Sequence, residues 1–438
     1  MPKKDKLLSG AFTLAVGGFL TKIIGAFYRI PLTNILGAEG IGIYQMVFPL
    51  YSLLLTVSST GVPNGIAKLI AEGNDANSVL KSALLIFLPV GILGFLLMAF
   101  FSEKVAILQG NELSKTAYIF ISPSVLLVSI ISCFRGYYQG FLNMKPTAIS
   151  QILEQAIKLV FGLALSYLFR YNVALSASLA TLAVTISELV TLIYLVLLKK
   201  GKEFSFIQTF LAKSDIKPVL RTVFPIMLST LIMPLSRTVE SFIILNVLNG
   251  YLNSATSLYG LYSGAVESLV GVPVSVLYSI AVTSVPIISS EKTEKLKKIK
   301  KPLYLTVFLS VVFSILFYFL SPFAVKFLYK GLSPINKDIT IKMAKIASLS
   351  VLFLPIMQTL SASLIASGKL YAPVLTSSVS STLKIILTFI LLKVESINIF
   401  AVIITDIVCY LVACFLNLVY IIFINKRMGL KRSILCTN

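Results

Sequence analysis

The stretch Cys133–Lys158 has the sequence CFRGYYQGFLNMKPTAISQILEQAIK and lies in a chain that is otherwise close to continuous apolar helix. Pro146 divides it in two, because proline cannot continue a helix and restricts the residue before it. In the first half, Arg135 and Gln139 share one helix face. In the second half, an i, i+3, i+4, i+7 pattern marks one polar face, formed by Gln151, Glu154, Gln155 and Lys158. A charge at mid-bilayer costs at least about 2.5–3.5 kcal/mol, so we expect this stretch to line a polar cavity inside a membrane protein.

Composition sets the class of the protein. The chain is 57% apolar and only 13% charged, whereas about 25% of the residues in soluble domains are charged. Its net charge of +21 does not indicate nucleic-acid binding, because the lysines cluster at the ends of hydrophobic segments. The absence of histidine excludes His metal sites and Ser-His triads. The four cysteines have no CxxC spacing, so we expect buried thiols and neither a metal nor a cofactor.

Twelve segments are long enough to cross about 30 Å of hydrocarbon. The first apolar run is too long for a signal peptide, so we predict a retained transmembrane helix there. The twelve predicted helices cover residues 7–33, 41–70, 79–101, 116–140, 146–169, 173–198, 218–248, 256–289, 303–328, 341–367, 372–393 and 397–424.

The two halves of the chain share features. Pro146 and Pro373 each open a helix, and a lysine follows twelve or eleven residues later, at Lys158 and Lys384. We therefore predict an all-α polytopic membrane protein with two six-helix lobes in a V-shaped bundle, residues 1–199 and 218–438, joined by a basic linker, 200–217. Transporters built from such repeats bind substrate between the halves. Lys and Arg are in excess in the connections that lie on the same side of the membrane as the N-terminus, which predicts that both termini are cytoplasmic.

Charged side chains inside the predicted helices indicate the substrate. The first helix carries Lys22 and Arg29 and no acid, which disfavours organic cations and suits a phosphate or pyrophosphate. We predict that the substrate cavity is lined by Lys22, Arg29, Arg135, Gln139 and Arg237. Gating or coupling charges are predicted to be Glu154, Lys158, Glu240, Glu267 and Lys384. A structural alternative stays open, in which pairs such as Glu154 with Lys158 and Arg237 with Glu240 neutralise each other.

Four motifs carry a family resemblance: KIIGAFYRIPL at 22–32, STGVPNGIAK at 59–68, RGYYQG at 135–140 and PTAISQILEQ at 146–155. Through them the chain resembles the multidrug/oligosaccharidyl-lipid/polysaccharide (MOP) exporter superfamily, and within it the stage V sporulation protein B and lipid II flippase branch. The resemblance implies a flippase in the bacterial plasma membrane. It would move an undecaprenyl-pyrophosphate-linked oligosaccharide, such as a peptidoglycan precursor for the wall or the spore cortex, from the inner to the outer leaflet by alternating access.

Several alternatives stay open at this point. No GxxxxGK[ST] motif is present, so we expect no ATP hydrolysis and no enzyme activity. Coupling to Na⁺, to H⁺ or to the membrane potential is undecided. A multidrug exporter coupled through Glu240 or Glu267, and a non-transporting scaffold for cell-wall synthases, are the other candidates. Peptidoglycan-precursor flippases usually carry two further C-terminal helices, and their eighth helix is basic, whereas here it carries Glu267.

Overall fold

The computed structural model describes residues 3–198, 215–289, 295–369 and 371–435, and in this range the chain forms helices joined by short connections. The helices are α1 (Lys3–Ser58), α2 (Val62–Ala71), α3 (Ala76–Phe100), α4 (Ser102–Leu108), α5 (Lys115–Gly140), α6 (Lys145–Leu168), α7 (Val173–Leu198), α8 (Lys217–Asn249), α9 (Ala255–Gly260), α10 (Glu267–Ser289), α11 (Lys295–Leu328), α12 (Pro334–Ala366), α13 (Tyr371–Leu391) and α14 (Phe400–Leu435). A 3₁₀ turn, Glu112–Ser114, precedes α5, and a π turn, Leu261–Val266, precedes α10. The predicted all-α membrane fold is confirmed.

Glycines interrupt the helical path through the first two predicted transmembrane segments, and Gly37 lies in the gap predicted between residues 33 and 41. Gly37 interrupts α1 with φ 67° and ψ −171°, so α1 contains two helical runs. The second run ends at Ser58, and a break at Gly61, with φ 83°, separates it from α2. Among the described residues, 11 helical spans are long and apolar enough to cross a membrane, and the first covers Val16–Ala71. That span covers the first predicted segment from Val16 onward and the whole of the second, which accounts for the difference between twelve and eleven.

The chain separates into two compact units. Unit 1 comprises Met1–Asn249 and Asn253–Gly260, and unit 2 comprises Gly250–Leu252 and Leu261–Asn438. Unit 1 therefore includes α8 and α9 beside the first seven helices. Most of the predicted linker, 200–217, lies outside the described residues. The division into two six-helix lobes stays a prediction.

Helix α5 is shared by two apolar clusters of unit 1. One cluster joins it to α1 and α7 around the fully buried Tyr28 and Tyr118. The other joins it to α2 and α3 around Ile66 and Phe134. Small residues allow these close contacts, as is usual between helices in a membrane. Packing on two sides therefore fixes the position of α5 and of the side chains that it carries.

Unit 2 is arranged around α12, which packs against α10, α11 and α14. Its helices are joined by buried hydroxyl groups. Thr388 and Thr405 bridge α13 and α14 through their Oγ1 atoms at 2.8 Å, and the Ser314 hydroxyl donates to the Ser348 carbonyl at 2.8 Å. Such hydrogen bonds replace the hydrophobic driving force that is missing between helices in lipid.

Gly136 on α5 tests this packing. A Cβ added there would lie 2.8 Å from Ile66 Cβ and 2.9 Å from Pro63 Cα, whereas a Cβ on Gly271 in α10 would meet nothing within 4 Å. Both changes to alanine gain helix propensity. We expect Gly136→Ala to lose about 1–3 kcal/mol through overpacking and Gly271→Ala to be neutral or slightly stabilising, as measured by thermal unfolding in detergent. Equal melting temperatures for the two variants would contradict the assigned contact.

Candidate functional site

A charged network lies between α5 and α6, centred on Arg135. Its Nε donates to Ser150 Oγ at 2.9 Å and its Nη2 donates to Glu154 Oε2 at 3.1 Å. Only 13% of the Arg135 side chain and 20% of the Glu154 side chain are exposed. The opposite oxygen, Glu154 Oε1, accepts from Gln155 Nε2 at 3.2 Å. This is a charge-assisted, interhelical pair in a poorly solvated position, where such contacts are strongest.

The hairpin between the two helices sets this geometry. Helix α5 ends at Gly140 and α6 begins at Lys145, and Leu142 between them has φ 58°. Arg135 and Ser150 are each five residues from their helix end, so the antiparallel helices bring them to the same level. Gln139, one turn closer to the hairpin, donates to Thr147 Oγ1 at 3.3 Å. The Lys-Pro break predicted from the sequence is therefore what makes the network possible.

Two further charges complete the network. The half-buried Lys158 follows Glu154 by one turn, and its Nζ lies 5.7 Å from the centre of the Tyr28 ring. Glu188 on α7 is 4% exposed and interacts electrostatically with Glu154, Arg135 and Lys158. Its Oε2 has no hydrogen-bond partner among the described residues. When all four groups are ionised, two cations balance two carboxylates.

Arg29 adds positive charge beside this balanced set. It lies on α1 with an exposed side chain, and it interacts electrostatically with Lys158, Tyr28 and Tyr44. Within the described part of the chain it forms no ion pair closer than 4 Å. Among the described side chains of this part of unit 1, Arg29 therefore provides an accessible cation that no carboxylate within 4 Å compensates.

Unit 2 contains a separate charged cluster. Lys384 Nζ on α13 lies 2.6 Å from Asp406 Oδ1 on α14, and both side chains are 11% exposed. Asp406 Oδ2 accepts a hydrogen bond from the Tyr262 hydroxyl at 2.5 Å. Tyr262 belongs to the π turn, a local geometry that is often found at functional sites.

The predicted site residues are thus distributed unequally. Unit 1 brings together Arg135, Glu154 and Lys158, with Arg29 as their neighbour, whereas Lys384 pairs with Asp406 in unit 2. The structure describes the backbone of the other predicted site residues, but the side chain of Lys22 is outside the described residues. On α8, Arg237 is exposed and Glu240 is buried, and Glu267 is exposed at the start of α10.

The structure also contains contacts that the sequence analysis missed. Glu154 pairs with Arg135 across the hairpin, where the i, i+4 spacing had suggested Lys158. Gly162, four residues after Lys158, leaves room for the Tyr28 ring, because an added Cβ would lie 2.5 Å from the Tyr28 hydroxyl. No group of three or more acidic or cysteine side chains that could hold a metal occurs in the residues that the structure describes.

Sequence comparison identifies a family. A profile described as "Polysaccharide biosynthesis protein" matches residues 7–292. The "Stage V sporulation protein B" of Bacillus subtilis (strain 168) is 29% identical over 310 residues, which is 67% of this chain and 60% of that protein. The chain thus spans less than two thirds of the length of this relative.

Structural comparison gives the same fold. A structure titled "Lipid II flippase MurJ, inward closed conformation" superposes with a TM-score of 0.76 at 17% identity, covering 93% of this chain and 87% of the other. A structure described as an inward-facing multidrug resistance MATE family transporter of the MOP superfamily also scores 0.76, at 14% identity, covering 94% and 96% of the two chains. The fold is shared by both kinds of transporter, so it does not choose between their substrates.

Glu154→Gln tests the buried pair. The change leaves Arg135 in place without its counter-charge, and breaking a buried ion pair costs about 3–5 kcal/mol. We expect a clear fall in melting temperature. The matched control is Glu72→Gln, which removes the surface pair of Lys68 and Glu72, whose side chains are 64% and 52% exposed. It should change stability by less than about 1 kcal/mol. Similar effects of the two changes would show that the Arg135 pair is no more stabilising than a surface pair.

Proposed function

The chain belongs to the polysaccharide biosynthesis protein family, and on that premise we propose that it flips an anionic, undecaprenyl-pyrophosphate-linked oligosaccharide across the bacterial plasma membrane. A peptidoglycan precursor such as lipid II is the proposed class of substrate. Both termini would be cytoplasmic, and the substrate would move from the inner to the outer leaflet by alternating access without nucleotide hydrolysis. The proposal extends beyond what the shared fold shows, and the charges of unit 1 support it.

The observation that carries the proposal is the position of Arg29. The buried charges beside it are balanced in pairs, so a substrate that reaches this surface meets a net positive side chain next to Lys158. Guanidinium groups bind phosphate oxygens in a two-pronged geometry and suit a pyrophosphate. An organic cation would be repelled at the same place. We propose that Arg29 makes the first contact and that Lys158, Arg135 and Gln139 lie behind it.

The other proposed site residues have supporting roles. Arg135 is held by Glu154 in this structure, so its guanidinium would reach a pyrophosphate only if that pair separates. Glu154 would then be a gating residue. For Lys22 and Arg237, contact with the substrate stays a proposal, as does coupling through Glu240, Glu267 or Lys384.

The charge of the substrate suggests a driving force. Moving one charge across 100 mV corresponds to about 2.3 kcal/mol, so a doubly charged pyrophosphate leaving a negative cytoplasm would gain about 4.6 kcal/mol. Because the protein cations remain in place, the net charge that crosses is that of the substrate. The membrane potential could therefore drive transport alone.

Arg29→Ala tests the function. The purified protein would be placed in proteoliposomes with fluorescent lipid II, and flipping would be followed by protection of the label from an impermeant quencher. We expect at least about a tenfold loss of rate, because hydrogen bonds to charged groups contribute about 1.5–3 kcal/mol. Arg29→Lys should keep part of the activity, since the charge survives without the guanidinium geometry.

The matched control is Arg170→Ala. Arg170 is an exposed arginine that stacks on Tyr167 and Tyr171, 4.2 Å and 5.1 Å from their ring centres, in the connection between α6 and α7. Its removal should leave the rate unchanged. Full flipping by Arg29→Ala at a normal melting temperature would contradict the assigned role. Dye efflux without lipid flipping would indicate a multidrug exporter, and neither activity would indicate a scaffold.

Dependence on the membrane potential is a separate prediction. The buffers would contain no Na⁺ and would hold the pH equal on both sides of the membrane. A valinomycin-induced potential that is negative on the side of lipid II loading should accelerate flipping, and the reversed potential should slow it. This follows from outward movement of net negative charge. A rate that ignores the potential but responds to Na⁺ or to a pH gradient would contradict a potential-driven mechanism and assign the coupling to that ion.

A further inference from the structure

Lysines are concentrated around the connection between α11 and α12 in unit 2. The stretch 326–345 contains a single acidic residue, Asp338, and the lysines Lys326, Lys330, Lys337, Lys342 and Lys345. Three of these lysines are exposed and two are half-buried. Among the described residues, no carboxylate oxygen lies within 4 Å of any of them. This hairpin therefore carries an excess of positive charge that the protein does not pair.

The excess is unusual for the side of the membrane on which the hairpin lies. The predicted topology places it outside the cell, where Lys and Arg are usually scarce. Residues 101–115 lie on the same side in that topology, and their lysines Lys104 and Lys115 are matched by Glu103 and Glu112. Lys115 Nζ lies 2.6 Å from Glu103 Oε2. At the α11–α12 hairpin, neutralisation would instead require an anion from outside the chain.

Local contacts position three of the lysines without removing their charge. Lys330 Nζ lies 5.3 Å from the centre of the Phe327 ring, and Lys345 Nζ lies 5.4 Å from the centre of the Tyr318 ring. Lys337 Nζ donates to the Lys330 carbonyl at 3.1 Å. The N-terminus of α12 lies at the same connection and has no acidic residue in its first turn. The positive end of its helix dipole adds to the field of the lysines.

An exposed row of phenylalanines leads along α11 to these lysines. Phe319, Phe323 and Phe327 are all exposed, and their i, i+4, i+8 spacing places them on one helix face. The rings of Phe323 and Phe327 are stacked, with their centres 5.8 Å apart. Lys326 lies in the last turn of α11 on the same face, and Lys330 contacts Phe327. We call Phe319, Phe323 and Phe327 the phenylalanine row.

The phenylalanine row has the length of an acyl chain in one leaflet. At 1.5 Å per residue, the helix rises about 12 Å from Phe319 to Phe327, and half of the hydrocarbon core is about 15 Å deep. An acyl chain with its methyl end at Phe319 would thus bring its headgroup to the level of Lys326 and Lys330. Lysine binds phosphate as a point charge, so the surface combines an apolar groove wall with a site for an anionic headgroup.

We propose that the end of α11 and its hairpin to α12 bind an anionic phospholipid of the outer leaflet. One acyl chain lies against the phenylalanine row, and the phosphate lies between Lys326 and Lys330. The positive charges of Lys337, Lys342 and Lys345 favour a lipid with net negative charge over a zwitterionic one. The choice of leaflet rests on the predicted topology, whereas the site itself does not depend on the proposed transport substrate.

Photo-cross-linking tests the site. The full-length protein would be placed in phosphatidylcholine nanodiscs with a trace of phosphatidylglycerol that carries a diazirine on one acyl chain, and adducts would be mapped by peptide mass spectrometry. A diazirine near the methyl end should label the region of Phe319, and one near the headgroup should label the region of Phe327. Phosphatidylcholine with the same diazirines is the control. Equal labelling by the two lipids, or one pattern for both diazirine positions, would overturn the proposal.

Removal of charge provides a second test. Lys326→Gln and Lys330→Gln should each lower the yield of the phosphatidylglycerol adduct about fivefold, the factor that one lysine contributes near an anionic membrane surface. The matched control is Lys104→Gln. Lys104 is also exposed, and its Nζ lies 5.6 Å from the centre of the Phe101 ring, but it belongs to the balanced stretch 101–115. It should leave the yield unchanged. Equal losses in all three variants would overturn the assigned site.

Two further measurements identify the leaflet and the lipid. In whole cells, Lys330→Cys in a variant with the four native cysteines replaced by alanine should react with an impermeant maleimide. Reaction only after permeabilisation would overturn the assignment to the outer leaflet. In nanodiscs, unlabelled phosphatidylglycerol should displace the probe at least as well as lipid II does at the same mole fraction. Stronger displacement by lipid II would overturn the phospholipid as the ligand. Because these readouts measure binding, failure of the proposed transport activity would not affect them.

Discussion

The ion pair between Arg135 and Glu154 is the interaction on which the organisation of unit 1 depends. Two charges removed from water are costly unless they meet at close range and their remaining hydrogen-bonding groups are used. Here the 3.1 Å contact, the Ser150 hydroxyl and the Gln155 amide meet that condition. The pair fixes α5 against α6, and α5 in turn packs into two apolar clusters of unit 1. A slip of one residue in the hairpin would separate the charges, so the pair also fixes the register of the helices.

Because the buried charges are paired, the exposed charge of Arg29 is the one available to a substrate among the described residues of this network. Lys158 and Glu188 extend the network without changing its net charge, and unit 2 balances Lys384 with Asp406. Because these charges are compensated inside the protein, they need no substrate to be stable in a bilayer. Arg29 is the exposed exception in the described part of this network. A protein that binds an anion before moving it needs a cation that is accessible and not already satisfied, and this is the arrangement at Arg29.

The sequence was sufficient for the fold because length, hydropathy and proline positions act locally along the chain. The Lys-Pro break before α6 predicted the hairpin, and the polar faces of Arg135 and Glu154 predicted a shared environment. Which charges meet was not predictable, because it depends on the height of each residue above the hairpin. The i, i+4 neighbour Lys158 interacts electrostatically with Glu154, but the close ion pair of Glu154 is with Arg135. The break of α1 at Gly37 falls in the gap predicted between the first two helices, whereas the buried Gln109 in a connection was missed for a related reason. The burial of Gln109 depends on a segment more than sixty residues away, because its Nε2 donates to the Met46 carbonyl.

The most direct test of this account is a double-mutant cycle on Arg135 and Glu154, measured as the free energy of unfolding in detergent. Arg135→Ala and Glu154→Ala each leave an unpaired charge in a poorly solvated position, whereas the double variant leaves Lys158 and Glu188 to balance each other. The account predicts that the double variant is no less stable than the worse single variant, with a coupling energy above about 1.5 kcal/mol for residues in one network. A coupling energy near zero, with the two single effects simply adding, would contradict it.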